Sequence, residues 1–119
     1  MRPFIRGVFL TSQNPADTAR FYHEVAGLEV SACGNEGQSI YWKVETNGIQ
    51  LAIHDAEAFA AYSHPSRPES NVTHLYFKID DQPQFLAHLK TVGITPSALD
   101  EVVITIVDPD GRMVMFGTA

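Results

Sequence analysis

The chain carries the same structural punctuation twice, and an internal repeat restricts a fold more than any single motif does. Asn14-Pro15 supplies a helix N-cap followed by a proline in the first turn, and Asp81 supplies the cap in the second half. Gly7 stands seven residues before the first cap and His74 seven before the second. Gly48 of an Asn47-Gly48 turn is followed four residues on by Ala52, and Gly111 of an Asp110-Gly111 turn four on by Met115. These pairs are equivalent positions in two copies of one unit.

Within the first copy, the β-prone run Phe4 to Thr11 leads into a helix with an apolar stripe of Ala19, Tyr22 and Ala26, flanked by Phe21 and Val25 and stopped by Gly27. Short β-prone runs follow at 28–33, 39–44 and 49–54, the last two joined by Asn47-Gly48, the signal of a tight hairpin. Residues 55–62 have the composition of a short helix and 63–70 read as a connecting loop. The pattern then restarts with a strand from Val72 to Ile79 and a helix carrying Phe85, Leu86, Leu89 and Val92 up to Gly93. Module one is placed at 1–56, a linker at 57–70 and module two at 71–119. The expected class is α+β, two tandem βαβββ modules whose curved mixed sheets surround a concave pocket.

Neither half has enough helix to cover both faces of its own sheet, so the 119 residues are expected to form one domain. A hydrophobic share of 45% beside 18% charged residues suits a packed globular chain and gives no case for disorder. Net charge is −6 and the eight Lys and Arg are scattered, which argues against nucleic acid or an anionic membrane surface as partner. Cys33 is the sole cysteine, excluding an intrachain disulfide and a multi-cysteine zinc site. With no signal-like apolar run at Met1 to Gly7 and no stretch of membrane-spanning length, a cytoplasmic location is expected.

Strand side chains alternate between faces, which sorts the candidates by parity. Val8, Leu10, Leu51, Ile53, Leu75, Phe77, Val114 and Phe116 are assigned to the core beneath the helices. Gly7, Phe9, Thr11, Ala52, His54, His74, Tyr76, Lys78, Met113 and Met115 then share the opposite, pocket face. Tyr41 and Trp42 are adjacent, so one faces the core and the other the pocket. Which is which stays open, since alternation with Ile40 and Val44 suits Trp42 to the core while an aromatic in the pocket would stack on a planar ligand. Asp108 and Asp110 read as turn residues without a catalytic role. Cys33 has no recognisable activating neighbour.

Three segments, Asn14 to Leu28 with its Phe21-Tyr22 and Gly27-Leu28, His74 to Asp81, and Asp108-Pro109-Asp110-Gly111, together resemble the vicinal oxygen chelate superfamily in order and spacing. That superfamily includes glyoxalase I, extradiol dioxygenases, fosfomycin-resistance enzymes and bleomycin-resistance proteins. The resemblance implies one metal ligand from each of four strands, at Gly7, Ala52, His74 and Met115. Of these only His74 suits a typical divalent ion, because glycine and alanine have no donor and a thioether is a soft ligand. A shifted pair of His54 and His74 falls short of the three or four protein ligands that zinc sites use. No cofactor is therefore expected. The resemblance also implies a homodimer.

The leading expectation is a metal-independent small-molecule-binding protein that sequesters an aromatic or amphipathic compound. Its ligand-binding residues would be Phe9, Thr11, Trp42, His54, His74, Tyr76, Met113 and Met115, an adaptable apolar lining with a few polar groups. The alternative is a glyoxalase-like lyase or isomerase that uses His74 as acid or base or a metal completed by a partner subunit. A third reading is a regulatory or structural subunit whose pocket is vestigial.

Overall fold

The long helix of each module begins at a residue whose side chain can cap it. In the computed structural model, which describes residues 6–34, 40–58 and 75–119, Asn14 accepts a hydrogen bond from the Asp17 N–H at 3.4 Å and helix α1 runs Pro15–Glu24. Asp81 accepts from the Gln84 N–H at 2.9 Å and helix α2 runs Gln82–Val92. Each cap satisfies one of the backbone donors that a helix start leaves without an internal partner. Gly93 ends α2 at φ 75°, where a side chain would be strained.

The first module places β1 (Gly7–Ser12), β2 (Ser31–Cys33), β3 (Tyr41–Thr46) and β4 (Ile49–Asp55) in one sheet of order β1-β4-β3-β2. The second places β5 (Leu75–Lys78), β6 (Ala98–Leu99), β7 (Val103–Val107) and β8 (Met113–Gly117) in the order β5-β8-β7-β6. In both, the strand before the helix pairs in parallel with the last strand, and the remaining pairs are antiparallel. The architecture is thus α+β with two βαβββ modules. His74, the expected strand start at 72–74 and the linker from residue 59 onward lie outside the described residues. No helix among the described residues is long and apolar enough to cross a membrane.

The core joins the modules. Phe21 and Tyr22 of α1 meet edge to face at 5.2 Å, Tyr22 approaches Phe77 of β5 at 6.5 Å, Phe77 stacks on Phe116 of β8 at 5.3 Å, and Phe116 stacks on Phe85 of α2 at 4.5 Å. Tyr22, Ile53, Ile104, Val114 and Phe116 are essentially inaccessible, and each such side chain contributes about 1.5–3 kcal/mol by leaving water. His88 of α2 donates from Nε2 to the Glu24 carbonyl at 2.8 Å, tying the two helices together. Val8 departs from its assignment to the core. It is 39% exposed because the core face of β1 opens there into a groove of about 260 Å³ lined also by Val44, Leu51, Leu75 and Phe77.

The loop closing the β7–β8 hairpin spans Asp108 to Arg112, a longer connection than a two-residue turn. Asp108 does serve as a turn residue, since Oδ1 accepts from the backbone N–H groups of Asp110 at 2.8 Å and Arg112 at 2.9 Å. It has a second role that the turn reading misses. Its Oδ2 accepts from the Tyr22 hydroxyl at 2.7 Å and the Arg112 guanidinium at 3.0 Å, in a side chain with no solvent exposure. Asp110 meanwhile accepts from Ser12 Oγ at 3.0 Å and Thr18 Oγ1 at 2.5 Å, and Arg112 donates to the Thr11 carbonyl. Burial and the neighbouring carboxylates push the Tyr22 hydroxyl far above its usual pKa, so it remains a donor at any physiological pH. Every buried side-chain polar atom among the described residues has a partner.

Candidate functional site

The face of the first sheet turned away from its core is a grid set by strand register. The two-residue Asn47-Gly48 turn has φ 51° and 79°, the left-handed pair that a tight hairpin between right-twisted strands requires. From it the register runs Thr46 with Ile49, Glu45 with Gln50, Lys43 with Ala52 and Trp42 with Ile53, while β1 pairs Gly7 with Gln50, Phe9 with Ala52 and Thr11 with His54. On the other side, β2 pairs Ser31 with Lys43 and Cys33 with Tyr41. One row of the open face is therefore Thr11, His54, Tyr41 and Cys33. The next is Phe9, Ala52, Lys43 and Ser31, and the third is Gly7, Gln50 and Glu45.

Aromatic contact dominates the first two rows. The Tyr41 ring stacks on His54 with centroids 4.8 Å apart and planes 12° from parallel, and Phe9 tilts against the other flank of His54 at 5.3 Å. Phe9 is 53% exposed, whereas Ala52 between Phe9 and Lys43 is wholly covered. Burial lowers the pKa of His54 below its ordinary value, which holds the imidazole neutral at physiological pH. In the third row Arg6 grips Glu45 with two hydrogen bonds of 3.1 and 3.0 Å, and Gln50 adds a third of 3.1 Å. These donors hold the Glu45 carboxyl down to about 2.

The second module contributes a softer surface. Tyr76, Met115 and Thr105 are register neighbours, as are Met113 and Val107. Tyr76, Met113 and Val107 are exposed and Met115 is half-buried. The Tyr76 ring crosses over Gly117, where a methyl group would overlap it, and its hydroxyl donates to the backbone oxygen of Ala119 at 3.0 Å. The Arg112–Thr11 hydrogen bond brings the end of β1 against the residue that precedes Met113.

Of the residues assigned from sequence, Phe9, Thr11 and His54 come together on the open face of the first sheet. Tyr76, Met113 and Met115 share the corresponding face of the second, and His74 lies outside the described residues. Trp42 is a correction. Its register partner is Ile53, so it takes the core face and packs against the buried cluster. Its neighbour Tyr41 takes the place on the open face. That outcome follows from the hairpin: a two-residue Asn47-Gly48 turn pairs 46 with 49, and counting back from there sets Tyr41 beside His54.

Three of the four ligand positions that the resemblance implies, Gly7, Ala52 and Met115, do not suit a hard divalent ion, and the fourth, His74, lies outside the described residues. Gly7 has no donor and no room for one, since a Cβ there would lie 2.8 Å from the Gln50 carbonyl oxygen. Ala52 is covered, and Met115 offers only a thioether. No group of three or more His, Cys, Asp or Glu side chains among the described residues could hold a metal ion.

By sequence, no family model and no curated protein matches the chain. Solved structures do match in shape. A glyoxalase family protein from Enterococcus faecalis superposes with a TM-score of 0.67 at 26% identity, over 96% of each chain. Lactoylglutathione lyase from Agrobacterium tumefaciens gives 0.69 at 20% identity, covering 98% of this chain and 94% of that one. TnmS3, an antibiotic binding protein from a Streptomyces species, gives 0.68 at 18% identity, covering 98% and 95%. The tandem βαβββ fold is that of the glyoxalase and bleomycin-resistance proteins, the vicinal oxygen chelate superfamily.

Proposed function

We propose that this protein binds a small planar molecule on the open sheet faces, without a metal, and acts by holding it rather than converting it. The observation that carries this reading is the Tyr41–His54–Phe9 cluster. Large aromatic surface is stacked, partly exposed and fixed on adjacent strands, where burial against a flat ligand would release water from both partners. Tyr76, Met113 and Met115 would supply adaptable apolar contact from the second module. Shared shape with an antibiotic binding protein is compatible with this role, although the fold also hosts a lyase. The binding unit is proposed to be a cytoplasmic homodimer.

The test is titration of the purified chain with planar aromatic compounds, followed by heat release or by thermal shift. Saturable binding that weakens about tenfold in Phe9→Ala and Tyr41→Ala is expected, about 1.4 kcal/mol and at the upper end of what one aromatic pair contributes. Elemental analysis before and after dialysis with chelator is expected to give metal far below one equivalent. Near-stoichiometric zinc, nickel, manganese or iron that only chelator removes would overturn the metal-independent reading. Binding indifferent to both aromatic substitutions would overturn the site.

A further inference from the structure

Charge on the same face is unevenly matched. Lys43 and Arg6 both address Glu45, so two cations share one carboxylate. Arg6 takes both carboxylate oxygens at hydrogen-bond distance, and Gln50 occupies one of them as well. Lys43 Nζ is left 3.8 Å away, beyond a hydrogen bond, with its side chain 34% exposed. An ammonium carries three donors, and those of Lys43 have no closer acceptor among the described residues. This cationic surplus stands out on a chain whose net charge is −6.

Position gives the surplus meaning. Lys43 is two residues along β3 from Tyr41, so it shares that ring's face at a separation of roughly 7 Å. Across the strands it is flanked by Ala52 and Phe9 on one side and Ser31 on the other. A ring lying against Tyr41, His54 and Phe9 would carry a substituent on its edge into the reach of Lys43, and only an acceptor would be welcome there.

We propose that the site selects planar aromatic anions, with Lys43 pairing the ligand's carboxylate, sulfonate or phenolate while the Tyr41–His54–Phe9 cluster holds its ring. This rests on the binding reading above and adds the charge of the ligand to it. Glu45 is the reason the cation is presented rather than quenched. Its oxygens are committed to Arg6, which leaves Lys43 oriented along the face but only weakly compensated. Partial burial strengthens the attraction beyond that of a fully solvated lysine.

Two fluorescent probes separate the claims: anilinonaphthalene sulfonate, and phenylnaphthylamine, which has the same aromatic frame without the sulfonate. Each is titrated into wild type, Lys43→Met, Phe9→Ala, Tyr41→Ala and the control Arg20→Gln, which removes one exposed positive charge from α1, away from the face. The expected result is that the sulfonate binds about tenfold tighter than the neutral probe. Lys43→Met is expected to erase that preference and leave the neutral probe unchanged, with Arg20→Gln altering neither. Equal affinities for the two probes, or equal losses in Lys43→Met and Arg20→Gln, would overturn the anion preference while leaving the aromatic site standing. If neither probe responded to Phe9→Ala or Tyr41→Ala, the underlying binding reading would fall too.

Discussion

The two modules close their last hairpins in opposite ways. Asn47-Gly48 is a two-residue turn whose two positive φ angles do all the bending, and its neighbours are solvent-exposed. The equivalent loop, Asp108 to Arg112, is longer and turns inward. Its two carboxylates and one guanidinium engage Thr11, Ser12, Thr18 and Tyr22 of the other module, bonds that span 86 to 101 residues of chain. A repeat in sequence is thus compatible with a division of labour in space. One hairpin sets local register, and the other fastens one module to its partner.

If that contrast is real, removing the inner loop's carboxylate must cost far more than straining the outer turn. Asp108→Ala is expected to destabilise the fold by about 3–5 kcal/mol in urea unfolding, because the Tyr22 hydroxyl is left buried without its acceptor and the Arg112 guanidinium loses its buried carboxylate partner. A loss below about 1 kcal/mol would show that the loop does not fasten the modules. Tyr22→Phe should cost about 1–2 kcal/mol, since it deletes one donor to Asp108 while Arg112 remains. Gly48→Ala should cost about 1 kcal/mol, through strain at φ 79°, and should leave the Asp108 effect additive to it.

A finer distinction concerns the open face rather than the loops. His54 has a folded-state pKa below the unfolded value of 6.5, so the unfolded chain takes up the proton first as pH falls. Stability from this group is therefore present above that value, declines as pH drops through the window down to the folded pKa, and levels off beneath it. Urea midpoints measured across that range should fall more steeply in wild type than in His54→Gln. Parallel curves for the two would mean that the stacked imidazole is not held neutral by its surroundings.

Much of the fold was legible because its signals are local. The caps Asn14 and Asp81, the stop at Gly93 and the Asn47-Gly48 turn each act within a few residues, and the structure uses all of them. Side-chain parity likewise put Leu10, Ile53, Val114 and Phe116 into the core correctly. Strand alternation puts one of Tyr41 and Trp42 on the open face, and the hairpin register, counted back from Asn47-Gly48 to His54, selects Tyr41. The second role of Asp108 had no such signal. In Asp108-Pro109-Asp110-Gly111 the carboxylates look sufficient for the turn alone, and nothing in the run points to Tyr22.

What the sequence by itself determined is therefore the set of elements, their order, their repetition and the faces that alternate along each strand. These depend on backbone dihedrals and on a two-residue or 3.6-residue period, which neighbours in the chain dictate. Only the tertiary structure decided that Val8 opens onto a groove and that Asp108 serves both its own turn and the other module. Those outcomes depend on which distant side chains share a dry space. There a single unmatched donor or acceptor costs as much as a whole turn contributes, so contact across the fold overrides what the local sequence prefers.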